Sequence, residues 1–361
     1  MESEPVNRTN ALEAFASRAT PVYQDGKTLA KGGDGMAIDV RTDSGRPKIL
    51  LSRRWPEAVE AELRERYDVT VDPEDRPLDA AAFTEAMRHF DALCPTVTDR
   101  IDADILSIPD RRVRIVANYG AGIEHVDLEA AKAAGIVVTN TPDVLTDATA
   151  DIALTLLLMA SRRAAEGEWE LRSGGWTGWR PTHMLGTSLS GKLLGLVGYG
   201  RIARATADRA RAFGMQIAYY SRRRAEIEDG ARYVPSIESL AAEADVLSLH
   251  CPGGAETRHL VNTALLDRMK PTAILINTAR GSVVDEAALA TALQDGKIAA
   301  AGLDVFEREP QVTPALLTLP NIVLLPHLGS ATLETRIEMG RRAGANMDRF
   351  FAGEEPHDRV A

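Results

Sequence analysis

Residues 192–203 read KLLGLVGYGRIA. The run Leu193–Val197 has the length and apolar content of a buried strand. Gly198, Gly200 and Ala203 follow at the spacing G-x-G-x-x-A, residues 204–213 read as a helix, and Gly214 ends it. Gln216–Tyr220 is a second strand. Strand, tight turn, helix and strand in that order are the setting a dinucleotide-binding turn requires. The first glycine permits the sharp turn, the second keeps a Cβ out of the path of a pyrophosphate, and the third small residue lets helix and strand pack closely. Tyr199, Arg201 and Ile202 lie inside the same turn and are counted with it as cofactor-binding. The start of the helix adds free N–H groups and a partial positive charge. A plain glycine turn would share the triplet but not the flanking elements.

The end of the second strand bears on which dinucleotide is bound. An acidic residue there would hold a ribose 2′-hydroxyl. This chain has Ser221 followed by Arg222, Arg223 and Arg224. No carboxylate repels a 2′-phosphate, and arginine offers it a planar fork of donors. NADP is therefore expected ahead of NAD, with a solvated basic turn as the plainer alternative.

The chain has 361 residues, enough for two domains of ordinary size. Hydrophobic content of 45% and charged content of 26% are those of a globular protein. No apolar run is long enough to cross a bilayer, and no basic start followed by an apolar core marks a signal peptide. The two cysteines, Cys94 and Cys251, argue against a disulfide framework and suit a reducing cytoplasm. A formal net charge of −10 argues against a nucleic-acid or anionic-membrane partner. An anionic substrate must then be drawn by local charge.

Residues 1–46 are polar and without sustained period, and are expected to be a disordered extension, with Met36 an alternative first residue. From Pro47 onward, strands and helices alternate. Strands are expected at Lys48–Leu51, 69–71, 114–118 and 137–140, and helices at 56–66 and 128–134; 92–93 and 105–106 read as short element edges. A long apolar helix over 147–163 leads into a stretch holding Trp169, Trp176 and Trp179. After the dinucleotide turn come strands at 246–250, Ile274–Asn277, 300–304 and 322–325, separated by helices at 237–242, 263–269 and 286–295. The final helix, Leu333–Phe351, lies too far along to join that sheet and is expected to return to the first unit. Such alternation makes parallel sheets covered on both faces. A ligand belongs in the cleft between two such units.

Arg280, Glu309 and His327 each fall just beyond a strand of the second unit, at the edge where open α/β sheets bind ligands. Together they suit hydride transfer to a 2-oxo acid. Arg280 would pair with the substrate carboxylate and polarise the carbonyl oxygen, and His327 would give that oxygen a proton. Glu309 would hold the imidazole and favour its protonated form. Singly, each reads equally well as a surface turn residue, a loop charge or a buried histidine; beside a dinucleotide turn the joint reading gains. The other six histidines lack such a setting, and no Cys, His and carboxylate spacing suggests a metal. In the first unit, residues 118–122 read NYGAG, where Ala121 and Gly122 would let backbone N–H groups complete the carboxylate grip. An ordinary glycine turn is the alternative.

NYGAGIEHVD, VTNTPDVLTDATADIAL, GGWTGWRPTHMLG, GLVGYGRIA, INTARGSVVDE, AAGLDVFEREP and LLPHLGSAT occur in this order between residues 118 and 332. As a set they resemble the D-isomer-specific 2-hydroxyacid dehydrogenases, nearest to the glyoxylate/hydroxypyruvate reductases, over residues 48–356. The resemblance implies two doubly wound α/β domains: a flavodoxin-like substrate domain over 47–146 and 328–361, and an inserted Rossmann domain over 147–327. It implies catalytic roles for Arg280, Glu309 and His327. Thr278, Ala279, Arg280, Asp304, His327 and Gly329 would line the nicotinamide, with Asp304 near the carboxamide; Thr149 would touch the cofactor, and Cys251 and Pro252 would lie near the adenosine. Trp179 would reach a neighbouring subunit's substrate pocket, and a homodimer through the cofactor domain follows. Ala203 stands where a third glycine is usual, and Gly253–Gly254 where a bulkier residue usually follows Pro252. Alternatives are a dehydrogenase for phosphoglycerate or a branched 2-oxo acid, or a non-catalytic nucleotide-sensing corepressor on the same fold.

Overall fold

Short apolar segments whose alternate residues point to opposite faces need a hydrophobic layer on each side. In the computed structural model, which describes residues 45–227 and 229–361, they meet that need in two separate parallel sheets. The extension expected over residues 1–46 lies, apart from its last two residues, outside the described residues.

The first sheet is built from β1 (Lys48–Leu51), α1 (Glu57–Arg66), β2 (Asp68–Thr70), α2 (Ala80–His89), β3 (Ala92–Cys94), α3 (Ala103–Leu106), β4 (Ile115–Ala117), α4 (Leu128–Ala133) and β5 (Val137–Thr139). The strand order is β2-β1-β3-β4-β5, with every pair parallel. Leu50, Leu93, Val116 and Val138 fill one core, while Ile49, Leu51, Ala92 and Ala117 fill the other. Three of its helices start on an aspartate cap: Asp79 accepts from Ala82 N, Asp102 from Ile105 N and Asp127 from Ala130 N. Each such cap stabilises its helix by about 1 kcal/mol.

The second sheet follows α5 (Thr146–Ser161) and α6 (Ala164–Arg172). Its elements are β6 (Leu193–Val197), α7 (Arg201–Ala212), β7 (Gln216–Tyr220), β8 (Arg232–Tyr233), α8 (Ile237–Glu243), β9 (Val246–Leu249), α9 (Thr263–Leu266), β10 (Ile274–Asn277), α10 (Glu286–Gln294), β11 (Ala300–Leu303) and β12 (Ile322–Leu324). The order β12-β11-β10-β9-β6-β7-β8 is that of a Rossmann sheet with one strand added. The winding reverses between β6 and β9, which opens a crevice at their carboxyl ends. Helix α5 covers β10 and β11 and also packs on α7. The last helix, α11 (Leu333–Phe351), packs on α1 and β4, and its Met339, Ala343 and Met347 enter the core with Ile49 and Leu51.

Three elements are absent from the sequence reading. Helix α2 stands where no element was expected, α6 runs into the tryptophan stretch, and β8 adds an edge strand of two residues. Helix α7 begins at Arg201, three residues before the expected start, because Gly200 is already its N-cap. No helix among the described residues is long and apolar enough to cross a membrane.

Candidate active site

The carboxyl-terminal edges of both sheets line one cavity of about 1250 Å³. From the first sheet come residues after β1, β3, β4 and β5; from the second come residues after β6, β9, β10, β11 and β12. Arg280, Glu309 and His327, about 50 positions apart at the extremes, meet there because parallel strands put all their carboxyl ends on one edge.

His327 Nδ1 lies 2.8 Å from Glu309 Oε2. Glu309 Oε1 accepts from the Phe306 N–H at 3.0 Å, so the carboxylate is anchored to its own loop. Burial works to raise the Glu309 carboxyl, but the hydrogen bond and charge of His327 outweigh it and hold the group below the usual carboxylate range. With Nδ1 engaged, Nε2 is the ring nitrogen left for a substrate. The loop carrying His327 is fastened from below. Asp304 accepts from Leu328 N and Gly329 N, both at 2.7 Å, and its carbonyl accepts from His327 N at 2.9 Å. Asp304 is almost fully buried, and burial pushes its carboxyl up.

Arg280 follows β10 and lies against the turn 118–122 of the other sheet. A Cβ at Gly122 would fall 1.5 Å from Arg280 Nη2, so a larger residue there would push the guanidinium aside. That turn is held rigidly. Fully buried Asn118 donates through Nδ2 to the carbonyls of Gly120 and Gly122 at 2.9 Å, and Asn140 Nδ2 donates to the Ala121 carbonyl at 2.8 Å. Two neighbours were missed in the sequence. Glu124 pairs with Arg280, and His125 Nε2 lies 2.9 Å from Asn118 Oδ1. Burial pushes His125 down to about 4. Their signal was position: both sit on the same post-strand loop as NYGAG.

At the dinucleotide turn, Gly198 has a φ of +87°, and a Cβ there would lie 2.9 Å from Cys251 N and His250 O. Gly200 opens onto free space, and α7 starts without a side-chain cap or an acidic residue in its first turn. Its first N–H groups are thus available to an anion. Gly200, Arg201, Ile202, Cys251, Pro252, Thr149, Thr278, Ala279, Asp304 and Gly329 line the cavity. Thr278 Oγ1 is buried without a hydrogen-bond partner. A bare helix start, a glycine cradle and an unpaired hydroxyl on one cavity wall fit a bound dinucleotide.

Other expected residues lie elsewhere. Tyr199 turns its ring into the core and stacks on Tyr219 at 4.2 Å, so only its backbone belongs to the turn. Ser221, Arg222 and Arg223 lie beyond the end of β7, outside the cavity lining; the Ser221 hydroxyl donates to the Arg223 carbonyl, and Arg222 pairs with Glu256. Trp179 is 82% exposed and does not line the cavity. No group of three or more metal-ligating side chains occurs among the described residues.

A glycine turn on a bare helix start, sharing a cleft with an arginine and a carboxylate-held histidine, is the arrangement of a dinucleotide-dependent oxidoreductase. Residues 154–329 match the family described as D-isomer specific 2-hydroxyacid dehydrogenase, NAD binding domain. The glyoxylate reductase of Thermococcus litoralis is 45% identical over 322 residues, which cover 87% of this chain and 97% of that one. Among solved structures, a D-isomer specific 2-hydroxyacid dehydrogenase from Polaromonas superposes with a TM-score of 0.83 at 38% identity, over 88% of this chain and 100% of that one. An NADPH-dependent glyoxylate/hydroxypyruvate reductase from Sinorhizobium meliloti, solved with NADP and malonate, gives 0.79 at 41%, over 88% and 97%. The chain belongs to the D-isomer-specific 2-hydroxyacid dehydrogenase family.

Proposed function

We propose that the protein reduces glyoxylate and similar small 2-oxo acids, hydroxypyruvate among them, to the 2-hydroxy acids. The observation that carries this reading is the Glu309–His327 pair, which shares the cleft with Arg280 and the dinucleotide turn. A bound nicotinamide supplies the hydride. Arg280, with the backbone N–H groups at Ala121 and Gly122, grips the substrate carboxylate and draws charge toward the carbonyl oxygen. His327 gives its Nε2 proton to that oxygen as negative charge develops there, and later recovers a proton from solvent. Glu309 stays ionised at neutral pH, holds Nδ1–H, and offsets the positive charge on the ring. Asp304 positions His327 through the loop backbone.

Residues 47–146 and 328–361 form the substrate lobe in this reading, and 147–327 the cofactor lobe. The packing of α11 on α1 and β4 supports that division. NADPH is the preferred cofactor: the end of β7 carries Ser221, Arg222 and Arg223 and no carboxylate, and the Glu256 partner of Arg222 is exposed enough to yield it. A homodimer accounts for the exposed Trp169 and Leu171 on α6 and the exposed Trp176, Trp179 and Leu185 between α6 and β6. Two free cysteines, one buried and one half-buried, suit the cytoplasm.

Loss of nicotinamide absorbance on mixing the protein with NADPH and a panel of 2-oxo acids tests the activity. Turnover is expected, with glyoxylate and hydroxypyruvate the best substrates; no turnover with any acid rejects the reading. The double substitution Ser221→Asp, Arg222→Ala is expected to reverse the cofactor preference, because the new carboxylate repels a 2′-phosphate. A wild-type kcat/KM already higher with NADH removes the NADPH preference.

A further inference from the structure

Glu124 is a charged residue of the cleft that the chemistry above does not use. It follows the turn 118–122, and its carboxylate reaches across to the other sheet. Its Oε2 accepts from Arg280 Nε at 3.3 Å and from Nη2 at 3.2 Å, while Arg280 Nη1 donates to the Ala279 carbonyl at 2.7 Å. The Nε–Nη2 edge of the guanidinium is the edge that receives a carboxylate side-on. One Glu124 oxygen holds it. The two groups converge on bare backbone: a Cβ at Gly122 would lie 1.5 Å from Nη2 and 2.7 Å from Oε2. Burial works to raise the Glu124 carboxyl, but the charge of Arg280 outweighs it and keeps the group below the usual range. His125, held neutral by burial at ordinary pH, offers it no compensating charge.

We propose that Glu124 is a specificity-determining residue: its carboxylate competes with the substrate's for the Arg280 fork and selects 2-oxo acids that carry a single negative group. The inference rests on the role given above to Arg280. A substrate carboxylate must displace Glu124 from the Nε–Nη2 edge. The displaced side chain stays on a loop pinned by Asn118, half-buried beside the cavity, where its charge is poorly screened. A monoanion gains Arg280 at the cost of that displacement. A dianion gains the same contact and in addition meets Glu124.

Oxamate and oxalate test this, since they match in size and shape and differ by one negative charge. Neither is turned over, so calorimetric titration into the NADPH-loaded full-length protein reads binding alone. Wild type is expected to favour oxamate. Glu124→Gln is expected to bind oxamate about three- to tenfold more tightly, and oxalate to gain more, so that the discrimination shrinks. Glu124→Ala gives the same two readings if the glutamine variant does not fold. Oxamate binding that weakens or stays unchanged overturns the proposal, as does an oxalate gain no larger than the oxamate gain, or no oxamate binding to any form. The parent reading fails separately: oxamate binding as tight in Arg280→Ala as in wild type shows that Arg280 is not the carboxylate grip.

Discussion

Two glycine turns face the cleft from opposite sheets, and they handle charge in opposite ways. After β6, Gly198 and Gly200 lead straight into α7, whose start has neither a side-chain cap nor an acidic residue. The positive end there is the backbone itself. After β4, the turn 118–122 has its carbonyls tied by Asn118 and Asn140, and the positive charge beside it comes from Arg280 on the other sheet. The first turn is complete within 12 residues. The second is assembled from loops more than 150 residues apart. A local turn can be recognised by its spacing; an assembled one needs the fold.

The comparison can be broken most severely on the side where both lobes contribute to chemistry. His327→Ala is expected to lower kcat by about 10²–10⁴-fold, the range lost with a general acid, while the intact α7 turn still binds NADPH. Steady-state kinetics and a fluorescence titration with NADPH separate the two effects. Near-wild-type turnover would remove His327 from the mechanism. Loss of NADPH binding would show that the two ends of the cleft are not independent.

Asn118→Ala attacks the pinned turn alone. It removes all three hydrogen bonds of a fully buried amide, leaving the Gly120 and Gly122 carbonyls short of a donor and His125 Nε2 without its partner. A stability loss of about 1–3 kcal/mol in chemical denaturation is expected, with a raised KM for the 2-oxo acid and an unchanged affinity for NADPH. A substitution that weakens NADPH and acid alike would erase the distinction between the turns.

The smallest effect is expected from Glu309→Gln, which keeps the shape and removes the charge. Reduction needs a proton from His327, and the carboxylate holds the ring that delivers it, so reductive kcat/KM should fall in the variant. Glu309 also has its carboxyl held below the ordinary value in the folded protein. Its pair with His327 thus stabilises the fold above the ordinary carboxylate range and is lost as pH falls through the depressed value. The variant should lack that increment of acid stability. A variant with wild-type kcat/KM and wild-type acid stability would reduce Glu309 to a loop charge.

What could be read ahead of the structure follows the same division. The strand at Leu193–Val197, its glycine turn and the strand at Gln216–Tyr220 were legible because every residue that defines them is adjacent in the chain. Helix α2 carried its own signal and was overlooked: Asp79 caps it, and Phe83, Ala86, Met87 and Phe90 recur at helical spacing on the buried face. The start of α7 was misplaced because a glycine N-cap has no side chain to announce it. Nothing local marks β8, whose two residues are a strand only because β7 offers them an edge. Tyr199 looked like part of the cofactor site because of its place between two glycines, yet its ring stacks on Tyr219 in the core.

The sequence by itself determined the alternation of short apolar strands with helices, the dinucleotide turn, and which arginine, glutamate and histidine stand just past strand ends, because each depends on spacing along the chain and on local backbone geometry. Only the tertiary structure decided that two sheets turn their carboxyl-terminal edges onto one cavity, that Asn118 and Asp304 hold the loops there, and that Glu124 lies on the guanidinium of Arg280. Those contacts join residues far apart in the chain. They exist only after the apolar faces of both sheets are covered and loop closure has already been met by that burial.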